Sequence, residues 1–292
     1  MSSAGGESAG PGGPARSLAV LGSPIAHSKS PRLHAAAYRV LGLPWSYSAV
    51  EVVEGSLGAF VNTCDSRWRG LSLTMPLKRE VLPMLASRSE LVETVGAANT
   101  VLFDDAMDMH GFNTDVAGIV AAFADHGVSG LDSVLILGGG ATAASVLAAA
   151  AQLGATRAFV AARDPRRADG LAPLAAGLGI GLTIGRLGES EPGAEQDVTS
   201  AVISTLPGGA EHGLVFAEEV RRHAVLLDVA YEPWPSELAR AWSAVGGTVV
   251  SGLEMLLHQA IGQVRIFVTG EEHGALPDET RVVRAMRESV GL

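Results

Sequence analysis

Cysteine is almost absent. Cys64 stands alone among 292 residues, so no intrachain disulfide can form, and a reducing compartment fits. A single thiol reads as a small apolar side chain with no catalytic part. Aromatic residues make up only 5%, which leaves the cores to Ala, Val and Leu and suits Ala-rich helices on buried parallel strands. The net charge of −10 comes without any block of like charge, which argues against a nucleic-acid partner and an anionic membrane surface. Apolar stretches at 133–137 and 141–153 are separated by Gly138, Gly139 and Gly140. Neither approaches the ~20 residues of a membrane span. The eight histidines and one cysteine show no metal-ligand spacing.

Residues 1–16 are dominated by Gly, Ala, Ser and Pro and lack the basic and apolar regions of a signal peptide. They read as a disordered tail on a cytoplasmic protein. From Ser17 onward, short β-like runs alternate with helix-like stretches. Strands are expected at 18–21, 47–53 and 70–73, and helices at 31–41, 56–62 and 77–85. Residues 100–103 and 107–112 form a hairpin pattern around Asp104-Asp105. Thr114 or Asp115 can cap a helix closed by Gly127. A fresh βα series starts at Ser133, with later strands at 158–161, 182–185, 201–204, 225–229 and 248–250. Two helices, 253–268 and 278–290, finish the chain.

This alternation predicts an α/β fold with right-handed crossovers. At 292 residues two domains of ordinary size fit. The expected division is a substrate-binding domain at 17–114, a nucleotide-binding domain at 115–251, and C-terminal helices at 252–292 packing back on the first. The alternation argues for parallel sheets, and C-terminal helices folding back on the first domain would leave a cleft between the halves, where ligands commonly bind.

Gly138-Gly139-Gly140-Ala141-Thr142-Ala143 fits G-x-G-x-x-G/A, directly after an apolar strand and before an apolar helix. The first glycine permits the turn, the second lets backbone approach a pyrophosphate, and Ala143 allows close packing. At the end of the next strand, Arg163 is followed by Arg166 and Arg167, a cluster suited to a 2′-phosphate and hence to NADP over NAD. Asp164 beside it has two readings, a ribose contact or the cap of the next helix. Two segments upstream complete a redox site. Lys78 follows a strand end in Gly70–Lys78, and Asp115 opens a helix after Gly111-Phe112-Asn113-Thr114. A cation and a carboxylate ahead of a dinucleotide turn suit proton-coupled hydride transfer. Ser28 and Ser30 stand at a strand-to-helix turn, able to bind a carboxylate or, for Ser30, to cap the helix at Pro31. Asn99 is either a turn former or a reader of hydroxyls.

Taken together, 23–31, 70–78, 96–101, 111–118, 138–143, 228–233 and 252–270 resemble the shikimate dehydrogenase family, in family order across nearly the whole folded chain. The resemblance implies NADPH-dependent reduction of 3-dehydroshikimate to shikimate in aromatic amino-acid biosynthesis, and with it an N-terminal mixed-sheet α/β substrate domain, a Rossmann-type dinucleotide-binding domain and a cleft between them. By matching position it implies Lys78 and Asp115 as the catalytic pair and Ser28 and Ser30 as carboxylate binders. Thr74, Asn99, Asp115, Tyr231 and Gln259 would contact the ring hydroxyls and carboxylate, and Gly252 and Met255 would lie at the cofactor, Met255 near the nicotinamide. Three positions depart from the family's pattern. Ser72 replaces a common Asn, predicting a shortened or water-mediated hydroxyl contact, Ala35 replaces another, and Ala162-Arg163-Asp164 keeps only the arginine of Asn-Arg-Thr. The rival readings are a quinate/shikimate dehydrogenase using NAD and a non-catalytic NADP(H)-binding regulator. A two-domain folate dehydrogenase lacks support from the Ser28, Ser30 and Gln259 segments. A homodimer is compatible with the sequence.

Overall fold

The computed structural model describes residues 14–188, 199–208 and 214–292. The expected tail lies, for residues 1–13, outside the described residues. The chain opens with β1 (Ser17–Gly22), α1 (Ser30–Leu41), β2 (Ser46–Glu51), α2 (Leu57–Val61), β3 (Trp68–Leu73) and α3 (Leu77–Glu80). Then follow β4 (Ser87–Arg88), α4 (Glu90–Val95), β5 (Thr100–Phe103) and β6 (Met109–Phe112). The next run is α5 (Asp115–Asp125), β7 (Ser133–Leu137), α6 (Ala141–Gln152), β8 (Arg157–Ala162), α7 (Leu171–Gly177) and β9 (Gly181–Arg186). The remainder is β10 (Ala201–Ser204), α8 (Glu218–His223), β11 (Val225–Asp228), α9 (Glu237–Ser243), β12 (Val249–Ser251), α10 (Gly252–Thr269) and α11 (Glu279–Val290).

By internal contacts the chain forms two units. One holds Met1–Ser87, Thr100–Gly111 and Gln263–Leu292, and the other Arg88–Asn99 and Phe112–Gly262. The first sheet runs β2-β1-β3-β5-β6-β4. It is mixed, with β1 parallel to β2 and β3, and β3 antiparallel to β5. Strand β1 is buried along almost its whole length because it lies between two neighbours. Helix α1 starts with Pro31 in its first turn, where no amide donor is missed, and ends on Gly42 at φ +67°. Its buried face holds Leu33, Ala36, Ala37 and Tyr38, and α11 packs on it.

The second sheet runs β12-β11-β10-β7-β8-β9, with every neighbouring pair parallel. Renumbered from β7, this is the 3-2-1-4-5-6 order of a doubly wound dinucleotide fold, with its switch point between β7 and β10. Both faces are covered. Val134, Ile136, Val160, Ile203 and Leu227 pack against the alanines of α6 on one side. Leu135, Leu137, Val202 and Leu226 meet Phe216 and Trp242 on the other. Each fully buried Leu, Ile or Val contributes about 1.5–3 kcal/mol. The near-continuous apolar strands follow from this double burial.

Several expectations need correction. The stretch 77–85 is not one helix: α3 ends at Glu80 and a 3-10 turn spans Leu82–Met84. Pro83 has no N–H to give the Arg79 carbonyl, and its ring crowds that carbonyl. Ser30 does not cap α1, because the cap position is Lys29, which makes no side-chain cap bond. Neither Thr114 nor Asp115 caps α5 with its side chain; Asn113 Oδ1 accepts the Asp115 amide instead (3.0 Å). Helix α4 was not anticipated, although Ser89 caps it by accepting from the Val92 amide and Gly96 closes it at φ +66°.

Candidate active site

In the first unit, two loops at the ends of β1 and β3 are laced together. The Ser23 amide donates to Met75 O (2.9 Å) and the Thr74 amide to Leu21 O (2.9 Å). Gly22 is required there, since a side chain would strike Thr74 Cγ2 and the Met75 carbonyl. This lacing ties the start of the loop that carries Ser28 and Ser30 to the segment that carries Thr74. Ser28 Oγ accepts from the Ser30 amide (3.4 Å), and Ser30 is buried at the first residue of α1. Lys78 is buried on α3. One helical turn has little stability of its own. Glu80 therefore matters: its carboxylate accepts from the Gly55 amide (3.0 Å) and the Leu57 amide (3.1 Å), pinning α3 to the start of α2.

Ser72 lies on β3. It is buried in a side-chain network below β3, receiving the Tyr47 hydroxyl (2.7 Å) and donating to Gln263 Oε1 (2.9 Å). Gln263 Nε2 donates to Thr100 Oγ1 (3.2 Å). Its Oε1 also lies 3.2 Å from His34 Nε2, and His34 Nδ1 lies 3.0 Å from the Tyr38 hydroxyl. An amide oxygen can only accept, so His34 carries its proton on Nε2 and accepts at Nδ1. Burial pushes its pKa down to about 3, with the Gln263 hydrogen bond working the other way. Burial likewise raises the Tyr47 phenol. The network is neutral throughout.

The second unit brings together Asn99, Asp115 and Gln259, three of the residues the sequence singled out. Asn99 Nδ2 faces Asp115 Oδ1 (2.8 Å), Thr114 Oγ1 (2.9 Å) and Gln259 Oε1 (3.2 Å). Asn99 Oδ1 accepts from the Thr114 amide (2.9 Å). All four side chains are buried. Gly118 lets α5 and α10 approach closely, since a Cβ there would sit 2.9 Å from Gln259 Cβ and 3.1 Å from Met255 O. The start of α10 is fixed by a capping box: Ser251 Oγ accepts from the Leu253 amide (3.2 Å) and Glu254 Oε2 from the Ser251 amide (3.4 Å). His126 pairs with Glu254 (2.7 Å), and His258 with Asp125 (2.9 Å), strapping α10 to the far end of α5.

The same unit carries the glycine turn. Gly138 adopts φ +110°, which favours glycine, and a Cβ on Gly139 would sit 2.9 Å from Ala168 Cβ. Gly140 faces open space at the N-terminus of α6. That terminus has no side-chain cap and no acidic residue in its first turn. Uncapped amides with the positive end of the helix dipole suit a pyrophosphate, so these residues fit the dinucleotide. Ala141 and Thr142 begin α6 and Ala143 is buried in the core. Arg163 follows β8, its carbonyl accepting from Arg186 (3.3 Å). Of the two readings of Asp164, the structure shows the cap. Its Oδ1 accepts from the Arg166 amide (3.2 Å) and its carboxylate takes the Arg166 guanidinium at 3.0 Å, which holds its pKa below the ordinary range. Gly252 packs on the Val229 carbonyl, Met255 is buried, and Tyr231 is half-exposed in the loop after β11.

Four contributors went unassigned in the sequence. Gln263, Glu80 and Ser145, whose hydroxyl accepts from Asn113 Nδ2 (3.3 Å), gave no local signal, since their partners lie far away in the chain. Asn113 did carry one: an Asn two residues before a helix start favours an Asx-turn. No helix among the described residues is long and apolar enough to cross a membrane. Among those residues no group of three or more His, Cys, Asp or Glu could hold a metal ion.

Comparison with known proteins places this geometry in context. Residues 20–101 match the model of the shikimate dehydrogenase substrate binding domain. A shikimate dehydrogenase (NADP(+)) of Halobacterium salinarum is 36% identical over 245 residues, covering 82% of this chain and 88% of that protein. Among solved structures, the shikimate 5-dehydrogenase of Mycobacterium fortuitum is 38% identical with a TM-score of 0.78, covering 95% of this chain and 98% of its own. That of Thermus thermophilus, solved in complex with NADP(H) and shikimate, is 29% identical with a TM-score of 0.77, covering 94% and 99%.

Proposed function

The chain belongs to the shikimate dehydrogenase family, and from that premise we propose that it reduces 3-dehydroshikimate to shikimate with NADPH, with Lys78 as proton donor and Asp115 as its partner. The enzyme is an NADP-dependent oxidoreductase acting on shikimate, as its relatives are named. The observation that carries the reading is the Asn99–Asp115–Gln259 cluster, in the same unit as an uncapped, acid-free helix N-terminus after a glycine turn.

Bound NADPH supplies the hydride to the ketone carbon. The carbonyl oxygen then gathers negative charge that a nearby cation can stabilise and protonate. Lys78 does both, giving up one N–H proton to the new alkoxide. Asp115, set by Asn99, holds a ring hydroxyl of the substrate and orients the ammonium group. Asn99 and Gln259 read the hydroxyls with amide groups that can both donate and accept. Thr74 and Tyr231 add hydroxyl contacts, and Ser28 and Ser30 take the carboxylate at the start of α1. Arg163 would meet the 2′-phosphate, and Gly252 and Met255 would lie at the cofactor, Met255 near the nicotinamide. In this reading residues 17–114 form the substrate-binding domain and 115–251 the NADP-binding domain, with Asp115, Tyr231 and Gln259 adding substrate contacts, and the helices of 252–292 pack back on the first.

Lys78→Met tests the chemistry. We expect kcat to fall by about 10²-fold or more with little change in shikimate affinity, as for loss of a general acid. Near-normal turnover would remove Lys78 from the mechanism.

A further inference from the structure

We propose that Asn113 is a positioning residue that sets Asp115 for catalysis through a two-asparagine clasp. The inference rests on the reading of Asp115 as part of the chemistry. The first amides of a helix have no partners within it. At the head of α5, Thr114 occupies the cap position and makes no side-chain cap bond. Its own amide goes to Asn99 Oδ1 (2.9 Å), and the Asp115 amide goes to Asn113 Oδ1 (3.0 Å). Each of the first two amides is thus taken by a different asparagine.

The clasp is reciprocal. Asn99 donates its main-chain N–H to Phe112 O (3.1 Å), beside Asn113. Asn113 Nδ2 donates to Ala97 O (3.0 Å), two residues before Asn99. The same Nδ2 reaches Ser145 Oγ (3.3 Å) on α6, the helix that begins at the glycine turn. Asn113 is fully buried, so none of these bonds has water as a substitute. One amide therefore fixes three things: the backbone of Asp115, the segment carrying Asn99, and the register of α5 against α6. Only a short side chain with an acceptor and two donors fills the place. Aspartate would bury a charge against the Ala97 carbonyl, and leucine would strand all three partners. With its amide taken by Asn113, Asp115 turns its carboxylate to Asn99 Nδ2 rather than to the helix start. Small misplacement of a reacting group costs up to ~10²-fold in rate.

The test is a double-mutant cycle of Asn113→Ala and Asp115→Asn on the full-length enzyme, with Asn113→Ser as the conservative variant. Steady-state kcat and KM are measured with shikimate and NADP+. NADP+ dissociation constants are taken by nucleotide fluorescence, and melting temperatures confirm folding at the assay temperature. Asn113→Ala should lower kcat by about 10- to 10²-fold in the native background and by less than about 3-fold in the Asp115→Asn background. The NADP+ dissociation constant should stay within about 3-fold, because the α6 terminus itself is untouched. A serine hydroxyl still accepts from the amide two residues on but has one donor in place of two, so Asn113→Ser should recover part of the loss. If Asn113→Ala does not fold, Asn113→Ser carries the cycle alone, with a smaller but equally non-additive loss. Equal losses in both backgrounds would make Asn113 merely structural and overturn the proposal while leaving Asp115 in place. Full turnover of Asp115→Asn would overturn the reading of Asp115 itself, and the clasp's role with it.

Discussion

Two buried polar networks, one in each unit, use the same kinds of side chain for different ends. The first joins His34, Ser72, Thr100 and Gln263 with Tyr38 and Tyr47. The second joins Asn99, Thr114, Asp115 and Gln259. Each draws one glutamine from α10, four positions apart. The difference lies in the titratable group each contains. Among the bonds described above, the first includes no carboxylate, and burial keeps its one histidine neutral by lowering the pKa to about 3. Its side chains are spent on one another inside the fold. The second retains a carboxylate, set at a helix start and held by amides. A neutral, closed network specifies packing. One that includes a titratable group on a helix terminus can also do chemistry.

Substitutions can break this contrast, and the largest effect is expected in the second network. Asn99→Ala should lower kcat/KM for shikimate by about 10²–10³-fold, the loss typical of one positioned donor. Steady-state kinetics check it, and a loss confined to stability would place the two networks in the same class.

The first network should show itself in pH dependence. The folded-state pKa of His34 lies at about 3, below its ordinary 6.5. As pH falls, the unfolded chain takes up the proton first. The stabilising contribution of neutral His34 is complete above pH 6.5 and is lost as pH drops from 6.5 towards about 3. That amounts to about 1.4 kcal/mol per pH unit, or about 2 kcal/mol by pH 5. Urea unfolding at pH 7 and pH 5 should show the fall in the native protein, and His34→Gln should flatten it. An unchanged slope in the variant would assign the acid sensitivity elsewhere.

The smallest expected effect is that of Ser72→Ala, which strips a partner from Tyr47 and one from Gln263. Stability should drop by ~1 kcal/mol, read by urea unfolding, with kcat within about 3-fold of native. A kcat loss above 10-fold would draw the first network into the site.

The second sheet was readable in advance because its strands are apolar runs punctuated by glycine, and Gly138, Gly139 and Gly140 sit between a strand and a helix as expected. Asp115 at a helix start was readable for the same local reason. What failed was competition between local rules. Apolar periodicity carried 77–85 as one helix, and Pro83 overrode it. A cap position with a hydroxyl, Thr114, suggested a capping bond, but Asn99 claimed that hydroxyl from elsewhere in the chain. Ser72 reads in the sequence only as a place where the resemblance expects an amide, and its hydrogen bond inside the fold was not legible. Its partner Gln263 lies 191 residues away, a pairing no local pattern contains. Contacts of that separation arise only from topology, which is why both networks were invisible as networks.

The central claim is most directly tested by kcat/KM for shikimate and quinate, each with NADP+ and with NAD+. Shikimate with NADP+ should exceed the other three combinations by at least about 10-fold, the scale set by a recognised or missing phosphate and hydroxyl. A higher value for quinate with NAD+, or no turnover with any combination, would contradict it.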